Sequence, residues 1–360
     1  MLKSPVFSLL LIVVMAIQPA CAKGDQDKTS TTINGRKFDF PIPDDRRELY
    51  ALTDTAKDFL IGALNTPSPP PEIYRLFKEV GYSPDTVTFI KNYLANRPRP
   101  ETDEVEALIE RTRKNMIFVK GGTFQMGDFG YLTDAKRPMS DSTLDDPPHE
   151  VTLDSYSLMK NRVTYADYDI YTRAEGLEPV GTGVVEVSFR FPDYPASVTW
   201  QQARDYCLWM KAKTGKPFDL DTSAQYEYAA RSGGKWLYLA STFQEESELV
   251  PDIQKFSEQM KKAANNKSAD PTFGVPIGTY GSNHLGFEDM VGVTKEWVYD
   301  WFAPYTKAPQ TNPRGPKDGE KKVVRLSNYS YQGTISRGRL DPKEPEGKFR
   351  CAINSTQPWK

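Results

Sequence analysis

The sequence predicts an α+β domain with little regular secondary structure, preceded by a small helical domain. Residues 44–113 place apolar side chains at helical spacing, and Leu49, Leu52 and Phe59 fall on roughly one face of the first predicted helix. From residue 115 onward, short runs typical of strands alternate with helices. The chain has 28 prolines and no long periodic stretch, which favours a fold rich in loops.

The N-terminus has the pattern of a secretory signal peptide. Lys3 precedes an apolar run at residues 6–17, which is too short for a comfortable membrane span. Ala20 and Ala22 form a small-x-small cleavage site, which predicts a cut after Ala22. The alternative is a cut before Cys21, which would then carry a lipid anchor. Either cut places the mature protein outside the cytoplasm, and we expect it in the periplasm with no transmembrane segment.

Composition divides the rest of the chain into three parts. Polar residues 23–40 predict a flexible leader, residues 41–114 predict the helical domain, and residues 115–360 predict the α+β domain. Within the last part, residues 245–272 are highly charged and predict one surface helix. We expect the helical domain to be a packing or partner-binding appendage, since it contains no motif.

Three helices of the α+β domain have recognisable start signals. Each follows a threonine that has an acidic or amide residue three positions later, as in a capping box, and the threonines are Thr164, Thr199 and Thr222. Gly215 is predicted to end the second helix and Gly233 the third.

Charge and cysteine content restrict the class of protein. The net charge of −2 gives no reason to expect a nucleic-acid partner or an acidic lipid surface. If Ala22 ends the signal peptide, Cys207 and Cys351 remain. An even number of cysteines in an oxidising compartment favours one disulfide, and two separate buried thiols are the alternative. The chain contains no Walker loop, GxGxxG, HExxH or GxSxG motif.

The order of five segments resembles the formylglycine-generating enzyme family, also called the sulfatase-modifying factor domain. The segments lie within residues 116–353 and read FVKGGTFQMGD, PPHEVTLDSYSLMKNRVTYADY, PASVTWQQARDYCLWMKAKTGKPFDLDTSAQYEYAARSGG, PIGTYGSNHLGFEDMVGVTKEWVYDW, and VVRLSNYSY followed by GKFRCAIN. The resemblance implies a single α+β domain similar to a C-type lectin core. It also implies that Cys351 pairs with Cys207, as in exported relatives.

The resemblance also shows where this chain departs from the family. Authentic members oxidise a sulfatase cysteine with copper, using two redox cysteines five residues apart. Here those positions correspond to Tyr331 and Ser336, which cannot supply the thiolates that copper(I) prefers. We therefore expect no copper and no formylglycine generation. A branch of the family that uses iron takes its ligands from an HxxxExH pattern, which is absent, and His149 and His284 are interpreted as structural or surface histidines.

Polar residues near the expected cysteine positions are candidates for a cleft or binding surface. Tyrosine and arginine could line a pocket, and they could equally form a surface or interface. The candidates are Arg325, Asn328, Tyr329, Tyr331, Arg337, Arg339 and Trp297, although core packing is the alternative for Trp297.

Structural calcium is a second feature that the resemblance implies. One family site uses an asparagine and a glutamate, and here only Glu296 is retained because the asparagine position is Val293. The other site would fall near Asn265, Asn266 and Asp270, whose oxygens suit calcium.

Two functions are consistent with these observations. The first is an exported, non-catalytic protein that binds another macromolecule of the cell envelope, in an accessory or toxin-neutralising immunity role. The second is a periplasmic modifying enzyme or oxidoreductase of the kind that matures pyoverdine, a branch of the family that also lacks the cysteine pair.

Overall fold

A computed structural model of the chain describes residues 30–33, 36–39, 91, 94–132, 136, 138, 143–183, 186, 190–234, 275–290, 294–326 and 335–360. The expected signal peptide, most of the expected helical domain and the charged insertion lie outside these residues. The chain divides into two units, one of residues 1–97 and 182–192 and one of residues 98–181 and 193–360. No helix among the described residues is long and apolar enough to cross a membrane.

The first unit contains a small antiparallel hairpin. Its strands are β1 (Ser30–Ile33) and β2 (Arg36–Asp39), with Ser30 opposite Asp39 and Ile33 opposite Arg36. β-Branched residues such as those in β1 favour an extended backbone. These eight residues lie within the segment 23–40, whose assignment as a flexible leader stays a prediction.

The second unit begins with the helix α1 (Thr102–Lys114). Acidic residues occupy its first turn and basic residues its last turn, which complements the helix dipole. Leu108 is buried, and Arg111 forms an ion pair with Asp167 at 2.7 Å. The sequence assigned this helix to the helical domain of residues 41–114, whereas its contacts place it with the second unit, which starts at residue 98.

The described part of the second unit contains three small sheets. The strands are β3 (Met116–Val119), β4 (Gly122–Met126), β5 (His149–Leu153), β6 (Tyr156–Met159), β7 (Phe218–Leu220), β8 (Lys295–Trp301), β9 (Gln310–Thr311), β10 (Lys322–Leu326), β11 (Arg337–Leu340), β12 (Lys348–Phe349) and β13 (Cys351–Ile353). The strand orders are β3-β6-β13-β7, β4-β5-β9 and β11-β10-β8-β12. All paired strands run antiparallel except β9 beside β5 and β12 beside β8. Short 3₁₀ turns at Gly130–Leu132 and Thr143–Asp145 precede β5.

The three predicted helix starts are confirmed. The helices are α2 (Tyr165–Glu175), α3 (Trp200–Thr214) and α4 (Ser223–Ala230), and each N-cap threonine accepts a backbone N–H from the residue three positions later. Gly215 ends α3 in the left-handed conformation, as expected. The last helix ends at Ala230 rather than near Gly233, because the chain already takes positive φ angles at Ser232 and Gly233.

The core of the second unit surrounds α4. All eight residues of this helix are buried, and its alanines and tyrosines pack with apolar residues of β4, β5, β6, β8 and β10. A disulfide joins Cys207 on α3 to Cys351 on β13, with a Cα–Cα distance of 5.6 Å. The implied pairing is therefore present, and it ties a helix to a central strand of the first sheet.

Candidate functional site

A cleft of about 280 Å³ lies beside the first turn of α4. Its polar lining comes from five elements that are distant in sequence, one of which is β9 with Gln310. β5 contributes His149, α4 contributes Ser223, β8 and the loop after it contribute Asp300 and Tyr305, and β11 contributes Arg337. Mostly apolar walls with a few convergent polar groups are typical of a ligand site.

Arg337 is the predicted candidate that the structure places in the cleft. The residue is only 4% exposed, yet its Nε and Nη1 atoms donate to the carbonyl oxygens of Leu144 at 2.6 Å and Ala303 at 2.9 Å. Its guanidinium stacks on the Tyr305 ring at 3.4 Å. Its backbone N–H donates to the Asp145 carboxylate at 2.9 Å. Burial holds the pKa of Arg337 below its usual value.

Arg325 lies opposite Arg337 in the β10–β11 pairing but serves a different purpose. It is 0% exposed, and it donates to Ser223 Oγ and to Glu227 Oε2, each at 3.2 Å. Glu227 also binds Arg231 at 3.0 Å. Arg325 is thus part of an internal ion-pair network, and it contacts the cleft lining through its hydrogen bond to Ser223.

The other sequence candidates separate into three groups. Trp297 is a core residue whose indole N–H donates to the Val198 carbonyl at 2.8 Å, so the core alternative applies. Arg339 is exposed, with its guanidinium 5.3 Å from the Phe302 ring. Asn328, Tyr329 and Tyr331 lie outside the described residues.

Ser336, the second position that corresponds to a family cysteine, precedes β11 directly. It is only 6% exposed.

Two residues of the cleft were not predicted as site residues from the sequence. Asp300 accepts the Ser223 backbone N–H at 2.9 Å, and burial raises its pKa to about 6. His149 was interpreted as structural, and it does pack its ring on Tyr305 at 4.5 Å, but it also lines the cleft. Burial lowers the pKa of His149, which keeps the ring neutral near pH 7. An aspartate inside the otherwise apolar WVYDW run was the available signal for Asp300.

The residues around Glu296 do not fit calcium. Its two carboxylate oxygens accept from Arg350 Nε at 2.7 Å and Arg162 Nε at 2.8 Å, and the group is 0% exposed. Arg162 also donates to the Asp289 carbonyl at 2.6 Å. Guanidinium groups therefore hold the oxygens that a hard cation would need. No group of three His, Cys, Asp or Glu side chains suited to a metal occurs among the described residues, and Asn265, Asn266 and Asp270 are not among them.

Comparison with known proteins defines the family. Residues 102–354 match the sulfatase-modifying factor enzyme 1-like domain. The chain belongs to this family. The match confirms the resemblance and the α+β fold, and it begins at α1, in agreement with the packing of that helix.

Several relatives of this family member are enzymes. The formylglycine-generating enzyme of Streptomyces coelicolor is 24% identical over 318 residues, which cover 72% of this chain and 95% of that protein. The enzyme of Bos taurus is 31% identical over 177 residues, 45% of each chain. Serine/threonine-protein kinase Pkn1 of Chlamydia trachomatis is 27% identical over 232 residues, which cover 58% of this chain and 32% of the kinase. Among solved structures, PvdO from Pseudomonas aeruginosa matches with a TM-score of 0.49 and 21% identity, covering 67% of this chain and 94% of PvdO.

Proposed function

We propose that this chain is an exported, non-catalytic member of its family that binds another protein of the cell envelope. One observation carries the proposal. The chain has no pair of cysteines five residues apart: by the spacing that the resemblance implies, Tyr331 and Ser336 stand at the positions of the family's redox cysteines, and Cys207 and Cys351 are joined in a disulfide. Copper(I) in such a site needs thiolates, which the mature chain does not offer. The scaffold therefore keeps its cleft without the redox pair.

The cleft supports recognition of a partner. Tyrosine and arginine are the residue types that dominate binding energy at protein interfaces, and Tyr305 and Arg337 stack in the wall of the cleft. The partner is a toxin or enzyme that the chain neutralises, or a protein that it assists. We place this interaction in the periplasm, because the N-terminal segment has the pattern of a signal peptide.

Site-specific photo-crosslinking in cells tests the partner proposal. A benzophenone amino acid replaces Gln310, which lines the cleft, and in a separate control strain it replaces Lys211, an exposed residue of α3. We expect one discrete protein adduct from position 310 and none from position 211. Equal labelling from both positions, or no adduct from position 310, would contradict a partner-binding cleft.

Loss of copper chemistry has its own test. A sulfatase peptide containing the target cysteine is incubated with the purified chain and copper under air, with an authentic formylglycine-generating enzyme as the positive control. We expect no formylglycine by mass spectrometry from this chain. Formation of the aldehyde at a rate within tenfold of the control would show that the reading of Ser336 is wrong.

Export is tested by the intact mass of the protein recovered from the periplasm. The mass of a chain that begins at Lys23 supports soluble export, and the mass of a lipidated chain that begins at Cys21 supports an anchored form. A mass that retains Met1 would contradict export.

A second candidate function is a modifying enzyme in the same cleft. It is favoured by Asp300, whose pKa burial raises to about 6, beside a His149 that is neutral near pH 7. Carboxyl and imidazole groups tuned in this way can exchange protons with a substrate. The test is turnover of a periplasmic substrate such as a pyoverdine precursor. Turnover that is lost in Asp300→Asn and retained in Asp205→Asn, a control at a half-buried residue of α3 outside the cleft lining, would replace the binding proposal.

A further inference from the structure

We propose that the cleft takes a carboxylate group of its ligand and that Arg337 is the cationic group that binds it. The inference rests on the proposed function, because it identifies the chemistry that the same cleft recognises. The juxtaposition behind it is a buried arginine that has no direct ion pair and one unpartnered Nη2 atom, stacked on a tyrosine in the wall of the same cavity.

Arg337 differs from the other buried arginines of this unit. Arg162, Arg231, Arg325 and Arg350 each form an ion pair with a buried glutamate at 2.7–3.2 Å. Arg337 forms no ion pair with a described residue, and its guanidinium donates only to carbonyl oxygens. Burying a cation without a counter-ion is unfavourable, so such a residue commonly marks a place where a ligand supplies the negative charge.

Nearby carboxylates are already engaged elsewhere. Glu227 accepts from both Arg231 and Arg325. Asp145 Oδ1 accepts the backbone N–H of Arg337 and not its guanidinium. The guanidinium of Arg337 therefore forms no ion pair with a described carboxylate, and the charges of Asp145 and Glu227 act on it without direct contact.

Hydrogen-bond donors point to the same chemistry. Arg337 Nη2 has no acceptor among the described residues, and Tyr305 Oη has only the nearby Ser223 hydroxyl, which is outside the usual hydrogen-bond distance; both donors are shielded from bulk water. Because the guanidinium stacks on the tyrosine ring, the two unpartnered donors belong to one wall. Burial raises the pKa of Tyr305 to about 12, so the phenol keeps its proton. A carboxylate has two oxygens and can accept from both groups at once.

The other titratable groups that line the cavity select a singly charged acid. Asp300 is largely ionised above its pKa of about 6, and His149 is neutral near pH 7. One cation and one carboxylate therefore line the cavity, and a phosphate or sulfate with two charges would be repelled more strongly by Asp300. A volume of about 280 Å³ suits a side chain or a small acid. The carboxylate is that of a free metabolite or of an aspartate, glutamate or C-terminus of the protein partner.

Calorimetric titration of the purified mature chain distinguishes these sources. The small-molecule probe is butanoate, which carries a single negative charge, with butanamide as its neutral control. The peptide probe is N-acetyl-Gly-Asp-Gly-amide with the Asn peptide as its control. We expect at least one acid to bind and its amide to bind about tenfold to a hundredfold more weakly, the range for a hydrogen bond to a charged group. Binding of butanoate alone indicates a free acid, and binding of the Asp peptide alone indicates a protein side chain.

Variants assign the binding to Arg337. Arg337→Gln should lower the affinity for the acid at least tenfold. Arg339→Gln, which removes an exposed guanidinium two residues away, should change this affinity less than threefold. If Arg337→Gln does not fold, Arg337→Lys is used instead because it keeps the charge. Tyr305→Phe removes only the hydroxyl and should lower the affinity for the acid several-fold. Equal affinity for the acids and their amides, or no binding of either acid, overturns the inference. Crosslinking from position 310 without carboxylate binding leaves the partner proposal standing and removes only this one.

Discussion

Glu296→Gln is expected to destabilise the fold strongly. The carboxylate lies between Arg162 and Arg350, with N–O distances of 2.8 Å and 2.7 Å, and it is completely buried. Burial alone would raise the pKa of Glu296, but the charges of Arg350 and Arg162 outweigh it and hold the pKa below its usual value. Glutamine keeps the shape of the side chain while removing the charge that both guanidinium groups share.

The size of the effect follows from what remains after the change. Both guanidinium groups stay buried, since Arg350 still donates to the Glu288 carbonyl at 2.6 Å and Arg162 to the Asp289 carbonyl at 2.6 Å. Breaking a buried ion pair by removing one partner typically costs about 3–5 kcal/mol. That is a large part of the roughly 5–15 kcal/mol that stabilises a typical domain.

Equilibrium denaturation with the disulfide intact measures this change. The free energy of unfolding of wild type and Glu296→Gln is compared at pH 7, with and without calcium. Glu110→Gln is the matched control, because Glu110 pairs with Arg113 on the surface at 2.8 Å and such pairs contribute about 0–1 kcal/mol. Any effect of calcium on the midpoint is expected to be the same in wild type and in Glu296→Gln. A loss below about 1 kcal/mol in Glu296→Gln, compared with the 3–5 kcal/mol of a broken buried pair, or calcium stabilisation that depends on Glu296, would refute the reasoning.

Three further predictions concern stability. Asp300 has a folded pKa of about 6 against an ordinary 3.8, so the folded state holds its proton between these values and loses stability as pH rises through this window. The free energy of unfolding of Asp300→Asn should therefore equal that of wild type near pH 4 and exceed it above pH 6 by up to about 3 kcal/mol. Denaturation across pH measures this difference, and a difference that does not change with pH would contradict the prediction. Replacing Cys207 and Cys351 with alanine should cost about 2–5 kcal/mol in the same assay, and an unchanged midpoint would show that the cross-link is not stabilising. Thr199→Ala should cost about 1 kcal/mol through loss of the α3 capping box, with Thr199→Ser close to wild type.

Local features of this fold were readable from the sequence. Thr164, Thr199 and Thr222 marked helix starts because a capping bond joins residues only three positions apart. The order of five segments indicated the family, and the family ending around Cys351 indicated its partner. The boundary near residue 114 was placed differently, because the packing of α1 on α2 depends on contacts such as that of Arg111 with Asp167, 56 residues away.

The candidate site was only partly readable. Arg337 was among the candidates, but its neighbour Arg325 proved to be internal and Asp300 was missed. All three are charged residues in or beside short strands, and nothing in their local pattern distinguishes a cleft wall from a buried network. Their different roles arise from partners in other elements, such as Glu227 for Arg325 and Ser223 for Asp300.

The sequence by itself determined the family, the helix starts and the absence of the redox cysteine pair, since these depend on residue identity and short spacing. Tertiary structure decided which charges are satisfied. Glu296 meets Arg162 across 134 residues and Arg350 across 54, while the guanidinium of Arg337 forms no ion pair with a carboxylate among the described residues. Electrostatic energy depends on distance in space and on burial, and neither quantity can be predicted from the order of the residues alone.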